Sequence, residues 1–391
     1  MCLVDRINHI VKGFKPNAII QFSNKISSIS NLILLTLGEP DFHTPDHIKR
    51  AAIKAIKDDQ SHYTNPRGIL PLRKAASNYF NKKYGMKYNL DTQIIATTGV
   101  TEAIYATFKT ILNPGDTVII PSPTFSFYAA DVTLCGGKPV YINTAKTNYE
   151  LDPKVLDQTI RAHRKTVKAV VLNYPNNPIG NTYDQKQLTK IANVIKKYKI
   201  FCVTDEIYSD LTYGKRHVSM GTILPKQTIV FNGVSKSHAM TGWRVGLIFG
   251  PADIVGKINK VHQFLVTSDT TNAQYAAAEA FAHGFNDGPR MRKVYQKRRD
   301  ILRNGLQKVG FTSPEPQGAF YIFAKIPSQF TQDSFKFGLQ LAKEAKVGTI
   351  PGAVFGPGGD GHLRISYAAS TSDLKRAVKR IQNFVKQHPS K

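Results

Sequence analysis

Thr228-Ile-Val-Phe-Asn-Gly-Val-Ser-Lys-Ser-His-Ala-Met-Thr-Gly-Trp-Arg-Val-Gly246 opens on residues fit for a buried strand. It then sets one lysine, Lys236, and one arginine, Arg244, among small and apolar neighbours. The chain scatters lysine freely elsewhere, so a lysine just past an apolar run reads as one held for its amine chemistry. Two earlier segments share the plan. An apolar run ending at Leu172 leads into Asn173-Tyr-Pro-Asn-Asn-Pro-Ile-Gly180, and Phe201-Cys-Val-Thr leads into Asp205-Glu-Ile-Tyr208. Each alone has an ordinary explanation: Asn-Pro pairs make turns, an Asp after a strand caps a helix, and a lysine after a serine is usually exposed. The informative fact is the recurrence of amide, carboxylate, phenol and amine at the C-terminal ends of successive strands, where open α/β sheets place their ligand sites.

Working outward, short apolar runs alternate with longer amphipathic ones from about residue 92, the βα pattern of a mostly parallel sheet. Strands are expected at Gln93–Thr97, Thr117–Ile120, Pro139–Ile142, Val167–Leu172, Phe201–Thr204, Thr228–Phe231 and Val245–Phe249, seven in all, with helices such as Thr101–Leu112 and Asp184–Tyr198 between them. A second zone begins near Asp287. It comprises a basic helix to about Val309 with Pro289 in its first turn, a strand Ala319–Lys325, a helix Asp333–Ala345, a strand His362–Tyr367 and a last helix capped by Asp373. The expected architecture is α/β: a large domain over residues 45–286 and a smaller α+β domain over 287–391, joined by an N-terminal segment, 1–44.

Composition excludes several classes. At 391 residues, 41% hydrophobic and 20% charged, the chain is ordinary globular material, long enough for two lobes. No apolar run approaches the ~18–20 residues that span a bilayer, and the start lacks a secretory h-region, so the expected location is cytoplasmic. Cys2, Cys135 and Cys202 are too few and too far apart for a disulfide framework or a metal site, and Cys202 lies inside an apolar run. The unusual feature is charge: 53 Lys+Arg against 27 Asp+Glu, a formal +26. The basic residues (Lys82, Lys83 and Lys87; Lys196, Lys197 and Lys199; Lys293, Lys297, Arg298 and Arg299) are dispersed and carry no nucleic-acid motif. They read as a solvated basic surface rather than a cognate site.

One more segment bears on ligands. Thr97-Thr98-Gly99-Val100-Thr101-Glu102 marks a strand turning into a helix, where free N–H groups and the dipole favour an anion. Neither Gly-x-x-x-x-Gly-Lys nor Gly-x-Gly-x-x-Gly is present, so a Walker loop and a dinucleotide fingerprint are both excluded.

An anion cradle, a carboxylate, a phenol, an amide and a strand-end lysine together suit a phosphorylated aldehyde with a basic ring nitrogen. In this combination the chain resembles the class I/II pyridoxal-phosphate-dependent aminotransferases, the aspartate- and aromatic-aminotransferase-like branch of fold type I. The likeness runs through Leu37-Gly38-Glu39-Pro40-Asp41-Phe42, Tyr63…Gly68…Leu72-Arg73, Thr98-Gly99-Val100-Thr101-Glu102, Pro175-Asn176-Asn177-Pro178, Asp205-Glu206-Ile207-Tyr208, Ser235-Lys236…Met240-Thr241-Gly242-Trp243-Arg244 and Leu363-Arg364-Ile365-Ser366. The resemblance implies that Lys236 bonds the cofactor aldehyde and that Asp205 pairs with the ring nitrogen. It implies further that Tyr208 and Asn177 hydrogen-bond the phenolic oxygen and that Phe125 stacks on the ring. Arg244, Val100 and Thr101 would hold the phosphate. Arg364 and the Gly38 N–H would hold the substrate α-carboxylate, with Asn177 beside them. Tyr63 would reach the phosphate of a neighbouring subunit, making the enzyme a homodimer with shared sites. One departure stands out: many relatives carry a phosphate-binding serine where this chain has Gly233. His238 matches no family role and reads as structural.

The reaction so implied is ping-pong transfer of the amino group of an aromatic or aspartate-like L-amino acid to a 2-oxo acid such as 2-oxoglutarate. A carbon–sulfur β-lyase on the same scaffold, an N-acetyl-diaminopimelate aminotransferase and a non-enzymatic nucleic-acid binder are the alternatives. The last is disfavoured because fewer than forty residues precede Gly38, too few for an added DNA-binding domain.

Overall fold

The computed structural model describes residues 2–389; Met1, Ser390 and Lys391, which end the expected segments, lie outside the described residues. Twelve strands are described, in chain order β1 (Ile33–Leu34), β2 (Ile94–Thr98), β3 (Thr117–Ser122), β4 (Lys138–Asn143), β5 (Val167–Asn173), β6 (Phe201–Asp205), β7 (Thr228–Gly233), β8 (Val245–Phe249), β9 (Tyr321–Lys325), β10 (Val347–Gly348), β11 (Ile350–Pro351) and β12 (His362–Ser366). Seven of these form one twisted sheet in the order β2-β8-β7-β6-β5-β3-β4. All its pairings are parallel except those of β8, which runs antiparallel to β2 and β7. Helices cover both faces, which is why β5, β7 and β8 read as unbroken apolar runs: every residue of β7 and β8 is buried.

The register sets the site. Asn173 pairs with Asp205, so β5 and β6 finish level, and Asp205 pairs with Phe231, so β7 runs two residues further before the turn that carries Lys236. After β7 the chain makes one turn carrying Lys236 and returns antiparallel. Val245 therefore pairs with Thr98, and Gly246 with Gly233. The reversal brings Lys236, Arg244 and the start of helix Gly99–Ile111 to a single edge.

The smaller sheet has the order β11-β12-β9, antiparallel throughout. The N-terminal segment reaches it: β1 pairs parallel with β10, and the Ser366 N–H donates to the Leu35 carbonyl at 2.9 Å. Helices Asp287–Gln307 and Thr371–Gln387 pack on this lobe. Two expectations need correction here. The last helix is capped by Ser370, whose hydroxyl accepts from the Asp373 N–H at 3.0 Å. Asp373 is thus the third residue of the first turn, where its charge still suits the dipole. The basic helix is also not wholly a solvated face. Arg298 and Arg299 are buried; Arg298 pairs with Asp41 at 2.7 Å, and Arg299 pairs with Asp300 and donates to the Pro316 carbonyl at 2.8 Å. Guanidinium forks satisfy several acceptors at once, which allows such burial.

Beneath the site lies a buried polar hub. Asp210 accepts from Tyr79, Tyr84 and Lys83, each at 2.6 Å, and the Lys83–Asp210 pair is nearly inaccessible to solvent. Removing one partner of such a pair strands the other charge. Asp210→Ala is expected to cost about 3–5 kcal/mol, read as a lowered denaturation midpoint in urea at unchanged m-value.

Candidate active site

At the C-terminal edge of the large sheet, a cavity of about 440 Å³ opens against the smaller lobe. Gly38, Val100, Thr101, Phe125, Asn177, Asp205, Tyr208, Lys236, Arg244 and Arg364, the residues expected from sequence within one subunit, all line it. Tyr63 does not; it is 87% exposed on this protomer.

Lys236 donates from Nζ to the Gly38 carbonyl at 2.5 Å. Burial, with Arg244 and Arg364 nearby, lowers its amine from 10.5 to about 8, although Glu39 and Asp205 pull the other way. Asp205 closes β6. Its carboxylate accepts from the Tyr128 hydroxyl at 2.7 Å and from the Ile207 N–H at 3.1 Å, and burial raises it to about 6 despite those bonds. It is thus mostly ionised at neutral pH. Tyr208 lies 2.8 Å, oxygen to oxygen, from Tyr321. Burial lifts its phenol well above the usual range, so it keeps its proton.

Arg364, from β12, donates to Asn177 Oδ1 at 3.0 Å and to the Thr36 carbonyl at 2.7 Å. Its Nε is buried without a hydrogen-bond partner among the described residues. Because a guanidinium only donates, the amide atom it meets must be the oxygen, which leaves the Asn177 NH₂ free to donate. Arg244 sits at φ 56°, a left-handed conformation that L-residues rarely adopt. From there its guanidinium reaches Thr101 Oγ1 and the Thr241 carbonyl, both at 2.9 Å. Gly99, at φ 73°, leaves the room: a Cβ there would overlap that guanidinium.

The expected exception at Gly233 has a packing cause. A Cβ built on it would lie 2.7 Å from the Val245 carbonyl oxygen and 3.0 Å from Gly246 Cα, so the strand pairing admits no serine there. Ser235 lines the cavity instead. His238 is buried behind the lysine, between the Ser237 hydroxyl and the Gly284 carbonyl.

Several lining groups escaped the sequence reading, Tyr321 among them. Tyr128 holds Asp205. Phe127 stacks on Phe125 at 4.5 Å with planes 15° apart. Helix Ala18–Ile26 brings Ile19 and Ile20 to the mouth. The Phe125-Ser-Phe-Tyr128 cluster after β3 was the available signal, being the same kind of strand-end position as the others.

The donor set fits a phosphorylated aldehyde with a basic ring nitrogen. One cavity combines a helix start beside a guanidinium, a buried carboxylate, a lysine of lowered basicity and a second guanidinium whose Nε is orphaned, donors for two anions and an acceptor for a ring N–H.

Comparisons with known proteins agree. The family model for aminotransferase class I and II matches residues 30–381. The chain is 42% identical over 379 residues to the probable N-acetyl-LL-diaminopimelate aminotransferase of Bacillus subtilis (strain 168), covering 97% of this chain and 95% of that protein. Among solved structures, the aspartate aminotransferase of Thermus thermophilus with maleate superposes with a TM-score of 0.90 at 33% identity, covering 96% of this chain and 99% of that one. The aromatic aminotransferase of Pyrococcus horikoshii OT3 gives 0.87 at 34% identity, covering 94% and 99%. The chain belongs to the class I and II aminotransferases, enzymes that depend on pyridoxal 5'-phosphate.

Proposed function

We propose that this aminotransferase takes its amino group from an L-amino acid with an apolar or aromatic side chain and passes it to a 2-oxo acid such as 2-oxoglutarate. One observation carries the donor class. The cavity's cations are Lys236, Arg244 and Arg364, which this reading assigns to the amine, the phosphate and the α-carboxylate, while the apolar part of its lining includes Ile19, Ile20, Leu37, Ile104 and Phe127. An aspartate side chain would meet no further cation of this protomer there, and an unpaired carboxylate loses its hydration without return. A second reading, an N-acetylated diaminopimelate, is favoured by the 42% identical relative.

When bound, pyridoxal phosphate supplies an aldehyde that takes up nitrogen and a protonated ring that draws electrons from the substrate carbon. The protein does the rest. Asp205, fixed by Tyr128, keeps a proton on the ring nitrogen. Tyr208 and the Asn177 NH₂ donate to the phenolic oxygen, and Phe125 supports the ring face. Arg244, Thr101 and the N–H groups at Val100 and Thr101 bind the phosphate. Arg364 and the Gly38 N–H orient the substrate carboxylate. Lys236 Nζ would bond the aldehyde and, as a free amine, would carry the α-proton of the substrate. We further propose a cytoplasmic homodimer in which Tyr63 of each subunit crosses to the other's phosphate. The exposure of Tyr63 at 87% and Phe264 at 95% supports it. No helix among the described residues is long and apolar enough to cross a membrane. The division into residues 1–44, 45–286 and 287–391 is proposed likewise, supported by the pairing of β1 with β10.

Borohydride reduction followed by peptide mass mapping is expected to leave the cofactor on Lys236. Lys236→Ala should be colourless and slower in transamination by about a hundredfold or more; a normal rate would end the reading. Only the neutral amine attacks an aldehyde, so cofactor capture by the cofactor-free protein, followed by visible absorbance, should quicken as pH rises towards about 8 and level off above it. Arg364→Lys should raise the donor KM about ten- to a hundredfold, the equivalent of a lost charged hydrogen bond. A donor panel scored by bleaching of the visible band, with 2-oxo acid release measured without acceptor, separates phenylalanine, aspartate and N-acetyl-diaminopimelate as donors and detects β-elimination.

A further inference from the structure

Tyr321, the first residue of β9 and fully buried, has no role in the reading above, yet three parts of the site converge on it. Its hydroxyl lies 2.8 Å from that of Tyr208. The same oxygen faces Gly38 so closely that a Cβ built there would lie 2.8 Å from it, and Gly38 holds the lysine amine. Its ring lies under the Arg364 guanidinium, 4.6 Å from centroid to carbon. The backbone leading in is constrained as well. Ala319 has φ 57°, and its carbonyl accepts from Tyr213 at 2.5 Å and Tyr367 at 3.3 Å. A strained conformation held by two phenols, two residues before a cavity-lining side chain, marks a place where position matters.

We propose that Tyr321 is a positioning residue of the transamination: its hydroxyl donates to Tyr208 Oη, aiming the Tyr208 proton at the cofactor's phenolic oxygen, while its ring keeps the Arg364 guanidinium flat for the substrate carboxylate. The direction follows from counting hydrogens. A phenol has one to give, so Tyr208 can serve the cofactor oxygen only by accepting from Tyr321. A hydroxyl that accepts a hydrogen bond is itself a better donor. The two-phenol relay therefore favours the ionised phenolic oxygen without Tyr321 touching it. Burial raises both phenols, so both stay protonated through neutral pH. The inference rests on the pyridoxal-phosphate reading of the site.

Tyr321→Phe, which removes one oxygen and keeps the ring, decides the matter alongside Tyr208→Phe and the double variant. In Tyr321→Phe the pH midpoint of the visible cofactor band should rise by about half to one unit, and kcat should fall about fivefold while the donor KM stays within about twofold. In the Tyr208→Phe background the same change should have no further effect, because the hydroxyl acts through Tyr208. Tyr321→Leu, without the ring, should raise the donor KM about tenfold through loss of the cation–π contact. If Tyr321→Leu fails to fold, Tyr321→Phe still decides. An unmoved midpoint in Tyr321→Phe, or additive effects in the double variant, overturns the proposal alone. A wild-type protein with no visible band overturns the aminotransferase reading and this proposal with it.

Discussion

Drawing a lysine amine out of bulk water beside two guanidinium groups is the constraint around which the molecule is organised. An ion in such a place loses several kcal/mol of hydration, and Lys236 responds by becoming a weaker base, about 8 instead of 10.5. Its ammonium form is kept only by the Gly38 carbonyl and by the pull of Glu39 and Asp205. That balance needs the lysine, the carboxylate and Arg244 on one edge of one sheet. The adjacent parallel ends of β6 and β7 supply the first two, and the antiparallel return of β8 supplies the third. With a parallel crossover, which takes a dozen or more residues, Arg244 could not lie eight positions from Lys236 and on the same side.

The second lobe contributes what the sheet cannot. Arg364 and Tyr321 belong to adjacent antiparallel strands, and the guanidinium stacks on the phenol. The Gly38 backbone reaches the same place because β1 is held by β10 and Leu35 by Ser366. Three chain segments far apart in sequence thus share one wall of the cavity.

The large sheet was legible because its strands are covered on both faces, so apolar runs are continuous and their ends abrupt. Site residues at those ends, Asn177, Asp205, Tyr208 and Lys236, could be located from position alone. Arg244, Phe125 and Arg364 needed the family resemblance. Tyr128 and Tyr321 were not legible: each sits in an aromatic run that reads as core, and each does pack as core along the ring while its hydroxyl serves the site. Helix starts shifted by up to three residues for a similar reason. Ser370 and Asp373 are both competent caps, and only backbone geometry chooses between them. The basic surplus misled in part because sequence does not tell a cation folded inward, as in Lys83, Arg298 and Arg299, from one left in water.

Arg364 already spends one hydrogen on Asn177 and one on Thr36, from either side of the cleft, which leaves Nε–H and one hydrogen on each terminal nitrogen without a partner among the described residues. An arriving carboxylate therefore meets a fork already pinned at two points and still holding hydrogens to spare. In the proposed reading the residue that grips the guest is also a rivet across the seam, so seating a substrate need not part the two sides it joins.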